Sequence, residues 1–140
     1  MKKIYIPSDH AGFKLKSSIL SKFSKKKKII DLGPNSSISV DYPDYAKKLS
    51  KKIASDKGNL GILICGSGMG MAITANKIKN VRAALCYSNK NTKLSRLHNN
   101  ANIITLGERL ISKNKAINLI KIFLSTKFEG GRHLRRIKKM

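Results

Sequence analysis

Only two cysteines, Cys65 and Cys86, occur in the 140-residue chain, too few for a disulfide framework; a reducing compartment keeps such a pair as thiols. Three histidines without C-x-x-C or H-x-x-x-H spacing offer no structural zinc site. Long apolar runs are missing too. Nothing approaches the roughly 18 residues that span a bilayer. The opening apolar stretch stops at Pro7-Ser8-Asp9-His10, too early for a signal peptide. The expectation is a cytoplasmic protein with no membrane partner. Aromatics, at 6%, are too sparse to interleave with cations for base stacking. Acidic residues are scarcer still: seven Asp and Glu face 30 Lys and Arg, for a net charge of +23.

An excess of that size attracts phosphate backbones nonspecifically, so a basic nucleic-acid-binding protein is one reading. The distribution argues against it. Lysines are scattered, at 25–28, Lys47-Lys48, Lys51-Lys52 and Lys138-Lys139, mostly where helix faces meet solvent. They read as solvated surface, and no specific nucleic-acid partner is expected. With 41% hydrophobic and 26% charged residues, the chain reads as one soluble globular domain over residues 1–140.

What is present is alternation. Strand-like runs at 3–8, 28–32, 60–65, 81–86 and 102–106 are separated by helical patterns at about 11–27, 43–56, 70–77, 89–98 and 112–125. The first helix presents Phe13, Ile19, Leu20 and Phe23 as its apolar face, and a short basic helix begins near residue 130. Residues 60–65, Leu-Gly-Ile-Leu-Ile-Cys, carry no polar side chain, as expected of a parallel strand covered on both faces. Five strands alternating with helices predict a three-layer, Rossmann-like α/β/α sandwich around a five-stranded parallel sheet. Ligands of such sheets sit outside the carboxyl ends of the strands.

Distinctive residues fall near those ends: Asp9, His10 and Gly12 after the first strand, Cys65-Gly66-Ser67-Gly68-Met69-Gly70 after the third, Gly107-Glu108-Arg109 after the fifth, and His98-Asn99-Asn100 before the fifth. The glycine loop lacks the third glycine of a dinucleotide fingerprint, since Met71 stands there, and lacks a Walker lysine. What remains is a nest of amides for a small anion beside a thiol. Helix N-termini favour thiolates, so Cys65 suits a nucleophile or general base. The competing reading makes it merely the last buried residue of the strand; the glycine nest favours chemistry. Cys86, without such a loop, reads as structural. Arginine is rare beside lysine, which marks the remaining arginines as sites that require a planar bidentate donor. Arg132 and Arg136, four apart, could grip a phosphate or be a basic tail in water, and spacing alone leaves both open. His10, His98 and His133 each read first as ordinary polar residues, although Asp9 beside His10 strengthens both.

Six collinear stretches together carry a resemblance: Ser8-Asp9-His10-Ala11-Gly12-Phe13, Asp41-Tyr42-Pro43-Asp44-Tyr45-Ala46, Gly61 through Gly70, Arg82-Ala83, His98-Asn99-Asn100-Ala101-Asn102 and Glu129-Gly130-Gly131-Arg132-His133. They resemble type B ribose-5-phosphate isomerases, in a wider family with galactose-6-phosphate isomerase subunits and allose-phosphate isomerases. The resemblance implies strand order 2-1-3-5-4 and a homodimer, or a dimer of dimers, with active sites at the subunit interface. It implies that Cys65 moves the proton between C2 and C1, and that Ser67 and the amides of Gly66, Gly68 and Gly70 hold the enediolate oxygen. His98 would assist ring opening and Asp9 would orient sugar oxygens. His10, Arg109, Arg132 and Arg136 would bind the phosphate, and Tyr42 and Asn99 would line the sugar site. Some of these come from a partner chain, and the sequence does not say which. No metal, nucleotide or redox cofactor is implied. The expected activity is interconversion of ribose 5-phosphate and ribulose 5-phosphate in the pentose phosphate pathway; the nearest alternative is a six-carbon sugar phosphate.

Overall fold

The computed structural model describes residues 2–23, 25 and 27–140. In chain order its elements are β1 (Ile4–Ile6), α1 (Phe13–Phe23), β2 (Ile29–Asp31), α2 (Tyr42–Ser55), β3 (Leu60–Cys65), α3 (Met69–Ala75), β4 (Ala83–Leu85), α4 (Asn89–Leu97), β5 (Ile103–Gly107), α5 (Lys113–Ser125) and α6 (Arg132–Ile137). The strands form one parallel sheet in the order β2-β1-β3-β5-β4. The three-layer architecture expected from the alternation of elements and the strand order implied by the resemblance are both present.

Side-chain alternation along the strands divides the core in two. On one face Ile6, Ile62, Ile64, Ile104 and Leu106 pack against Ile19 of α1 and Phe123 of α5. On the other, Tyr5, Leu63, Cys65 and Ile103 meet Leu49 and Ile53 of α2 and Met71 of α3. Every residue of β3 is buried, which accounts for its uninterrupted apolar composition. Burying each Leu or Ile side chain contributes about 1.5–3 kcal/mol, so the central strand anchors the sheet and the loop that leaves it.

Helix boundaries follow local chemistry. Ser88 and Asn91 form a reciprocal capping box at the start of α4: Asn91 N–H donates to Ser88 Oγ at 3.1 Å, and Ser88 N–H donates to Asn91 Oδ1 at 3.0 Å. Ser112 Oγ accepts from Lys115 N–H at the start of α5. Pro43 sits in the first turn of α2, where a missing N–H costs nothing. The helix read over 11–27 is shorter, ending at Phe23; Ser24 and Lys26 lie outside the described residues. Its buried face also differs: Leu15 and Lys16 are buried with Ile19 and Phe23, while Phe13 and Leu20 are only half-buried. The Lys16 ammonium donates to Asp31 Oδ1 at 2.8 Å and to the Pro34 carbonyl at 2.6 Å, tying α1 to the end of β2. No helix among the described residues is long and apolar enough to cross a membrane.

Candidate active site

The end of β3 builds the first half of the site. Cys65 shares the parity of Leu63, so its side chain faces the α2–α3 layer, and its sulfur accepts a hydrogen bond from Gly68 N–H at 3.1 Å. That turn requires a positive φ of 78° at Gly68, and an added Cβ there would lie 2.7 Å from Leu85 Cδ1. Ser67 Oγ accepts from Met69 N–H at 3.3 Å. The loop is held from the β5 side, where Glu108 N–H donates to the Cys65 carbonyl and Arg109 N–H to the Gly66 carbonyl. The Arg109 guanidinium lies over Gly66, and the Tyr42 ring lies so close over Gly70 that a Cβ would sit 2.5 Å from it.

The end of β1 supplies the opposite wall. Asp9 N–H donates to the Ile64 carbonyl, while its Oδ1 accepts from Gly12 N–H at 2.9 Å, which fixes the carboxylate at the start of α1. Gly12 packs directly on Ile64 and has no room for a side chain. His10 Nδ1 lies 3.2 Å from both the N–H and the carbonyl of Val40, which ties it to the loop before α2. Asp9, His10, Tyr42, Cys65, Ser67 and Arg109 line a cleft of about 380 Å³, with Gly66 and Gly70 in its wall and Gly68 beneath the sulfur. The arrangement joins a thiol, a buried carboxylate and cationic or polar edges, which suits a small anionic ligand with proton-transfer chemistry.

His98, Asn99, Arg132 and Arg136 form a separate group. His98 caps the C-terminus of α4, and Asn100 takes a positive φ of 44° as the chain turns toward β5. The turn is gripped by two arginines. Arg82 Nε donates to the Asn99 and Asn100 carbonyls, and buried Arg96 donates to the Thr126 and Ala101 carbonyls and to Asn100 Oδ1. Glu129 N–H donates to the Leu97 carbonyl, docking the segment before α6 against α4. The His98 and His133 rings stack with centroids 4.2 Å apart. Both direct Nε2 at Glu129 Oε2, from 3.6 and 3.5 Å. Desolvation, followed by the neighbouring His98, holds His133 below the ordinary imidazole range, against the opposing pull of the Glu129 carboxylate; Arg132 and Arg136 reinforce the lowering. Arg132, Arg136 and Asn99 are exposed.

The two groups lie at opposite ends of the sheet. In a parallel crossover the helix runs back against the strands, so the end of α4 meets the start of β5. Cys65 pairs with Gly107, at the far end of that strand. The four residue steps from Ile103 to Gly107 span about 13 Å. The sequence reading grouped His98 with the strand-end residues because it adjoins β5; direction along the sheet separates them.

Glu129 and His133 received no role from the sequence. One signal was available: Glu129 is the only acidic residue after Glu108. With His98 these two are, among the described residues, a trio whose potential ligand atoms lie within 4.8 Å of one another. Arg82 and Arg96 repay the attention given to rare arginines, but what they hold is the protein's own carbonyls.

A glycine-lined carboxyl-edge cleft with a thiol at its floor defines a small-molecule site on an α/β sandwich. The family model for Ribose/Galactose Isomerase matches residues 4–140, and the chain belongs to that family. It is 38% identical to the ribose-5-phosphate isomerase B of Escherichia coli, over 98% of this chain and 93% of that protein. Its structure is similar to the ribose 5-phosphate isomerase of Thermotoga maritima, with a TM-score of 0.94, 49% identity, and coverage of 99% and 96% of the two chains. It is also similar to ribose-5-phosphate isomerase B of Mycoplasma genitalium with bound ribulose-5-phosphate, with a TM-score of 0.92, 44% identity, and coverage of 98% and 92%.

Proposed function

We propose that this chain is an aldose–ketose isomerase interconverting D-ribose 5-phosphate and D-ribulose 5-phosphate through a cis-enediolate, acting in pentose phosphate metabolism in the cytoplasm. The observation that carries the reading is Cys65 at the floor of a cleft edged by Asp9, Ser67 and Arg109, in a chain 44% identical to an isomerase with bound ribulose-5-phosphate. With the sugar open, the Cys65 thiolate takes the proton from C2; the released electron pair forms the C1–C2 double bond, and the C1 oxygen gains the charge. Once the O2 hydroxyl proton has passed to the C1 oxygen, so that the charge moves to O2, returning the carbon-bound proton to C1 leaves the carbonyl at C2. The reaction is redox-neutral overall. Ser67 and the amides of the 66–70 loop stabilise the enediolate oxygen, with the Gly68 N–H shared with the Cys65 sulfur and the Met69 N–H with Ser67 Oγ; one preorganised donor of this kind contributes about 2.7–4 kcal/mol. Asp9 and Tyr42 orient sugar hydroxyls, and His10 and Arg109 attract the phosphate.

Ring opening by His98, the part of the sugar site lined by Asn99 and the phosphate grip of Arg132 and Arg136 involve residues that stand at the other end of the sheet. We infer a homodimer in which the Cys65 cleft of one subunit faces the His98 turn of the other, so that each of two sites is assembled from both chains. A two-fold interface makes such exchange reciprocal.

Mixing two inactive variants tests both ideas. C65A and H98N should each lose turnover of ribose 5-phosphate. Co-refolded in equal amounts, they should recover about one quarter of wild-type activity, because random pairing makes half the dimers mixed and each mixed dimer keeps one intact site. Activity in C65A alone would remove cysteine from the mechanism, and inactivity of the mixture would remove the shared site. Assaying allose 6-phosphate and galactose 6-phosphate beside ribose 5-phosphate decides the substrate.

A further inference from the structure

We propose that His98, Glu129 and His133 form a binding site for a borderline transition-metal cation of the Zn²⁺ class, and that its occupation blocks the His98 imidazole. The site stands on its side chains alone; only the inhibitory consequence rests on the isomerase reading.

The three ligand atoms are spaced nearly as in a metal centre, but the two imidazoles are stacked 13° from parallel, so one ring must turn out of the stack before both lone pairs meet a single ion. Zinc bonds to nitrogen and oxygen of about 2.0–2.2 Å, at tetrahedral angles, put neighbouring ligand atoms roughly 3.3–3.6 Å apart. Glu129 Oε2 lies 3.6 Å from His98 Nε2 and 3.5 Å from His133 Nε2, so two of the three edges already fit. The third lies within 4.8 Å and closes by rotation of the His98 ring, which is 40% exposed. His133 supplies the fixed member, buried at 9% exposure on the first turn of α6.

The frame beneath the three ligands is tied across elements. Glu129 N–H donates to the Leu97 carbonyl, one residue before His98, and His133 N–H donates to the Gly130 carbonyl. Arg96 fastens the chain at Thr126 to that at Ala101, which spans both ligand segments. Ligands drawn from residues 98, 129 and 133 therefore keep a fixed relationship although no short sequence spacing joins them.

The donor set selects the ion. Two imidazoles and one carboxylate suit zinc, cobalt or nickel, whereas magnesium and calcium demand mostly oxygen and rely on negative charge. The flanking Arg132 and Arg136 guanidiniums oppose any cation, which disfavours the hard ions further. Three protein ligands leave the fourth position open, the form of an exchangeable site.

The test is a Co²⁺ titration of the full-length chain carrying C65A, which removes the more accessible thiol, followed by visible absorption. The expected result is one equivalent bound with the d–d bands of nitrogen and oxygen coordination. Adding E129Q, at a side chain 57% exposed, or H133A should abolish saturable binding. Failure to bind one equivalent, or saturable binding that survives either substitution in a folded chain, overturns the proposal. In the wild-type enzyme Zn²⁺ should inhibit isomerisation, EDTA should reverse it, and E129Q should shift the inhibition to higher metal. Full activity at saturating Zn²⁺ would overturn the blocking role. The cobalt spectrum reports the site whether or not ribose 5-phosphate is the substrate, so the two readings fail separately.

Discussion

Gly107 lies directly opposite Cys65 in the β3–β5 pairing, and a Cβ on Gly107 would come within 2.6 Å of the Ser67 carbonyl oxygen. The backbone that carries the sulfur and the backbone of the neighbouring strand thus touch without a side chain between them. A Gly107→Ala substitution must push residues 66–68 away from the cleft. Displacement of a catalytic group by about 1 Å costs on the order of 10²-fold. We expect G107A to lower kcat by about that factor with an unchanged far-ultraviolet circular dichroism spectrum. Steady-state kinetics checks this, and an unaltered kcat would disconnect the loop backbone from the chemistry.

His98 belongs to ring opening rather than to carbon-acid chemistry in the reading above, and the two roles separate by substrate. A four-carbon aldose 4-phosphate cannot close a furanose ring, because its O4 carries the phosphate. H98N should lower turnover of ribose 5-phosphate by about 10²–10⁴-fold, the usual worth of one positioned acid–base group. The loss on the ring-free substrate should be much smaller. Equal losses on both would assign His98 to another step.

Arg96 predicts a stability effect with a consequence at His98. It is buried, it donates to the Thr126 and Ala101 carbonyls and to Asn100 Oδ1, and its guanidinium lies 5.3 Å from the Phe123 ring centroid. Replacing it with Met keeps most of the volume but leaves buried carbonyls without donors, each costing roughly 1–3 kcal/mol. We expect R96M to be about 2–4 kcal/mol less stable in urea denaturation. The turn carrying His98 should loosen first, seen as faster amide exchange at residues 98–101 than at the β3 core. Uniform exchange across both would make Arg96 a general core residue.

These cases indicate what the sequence could reveal. The β3 strand was legible to the residue because both its faces are covered, leaving no polar side chain to blur its ends. Strand β4 was read too long, over 81–86. At this edge of the sheet Asn76 bonds both the N–H and the carbonyl of Ala83, so a side chain occupies part of the outer ladder. Lys16 was absent from the apolar face read for the first helix, since its partners, Asp31 and the Pro34 carbonyl, are joined to it only by folding.

The candidate site was legible as a set of residues and not as an arrangement. Cys65 ends a strand and Asp9 and Arg109 follow one, and the rule for parallel sheets brings the three together. His98 precedes a strand, which puts it at the opposite edge. The arginines show the same limit: Arg82 and Arg96 need planar donors, yet a backbone carbonyl acceptor leaves no mark in sequence to distinguish it from a phosphate.

Cys86 provides a pH test away from the site. Its thiol is buried, and burial pushes its pKa above the ordinary 9.0, partly opposed by the polar Thr92 and Ser95 hydroxyls beside it. A thiol whose folded pKa exceeds its unfolded value favours folding fully below the unfolded pKa. That contribution is lost as pH rises from 9.0 through the folded value, because the unfolded chain then binds fewer protons. Lysines and tyrosines titrate in the same range, so the informative quantity is the stability of wild type minus that of Cys86→Ala. We expect this difference to be flat below pH 9.0 and to decline above it, measured by urea denaturation at a series of pH values. A difference that stays level throughout the alkaline range would mean that the thiol ionises as easily in the folded protein as in the open chain.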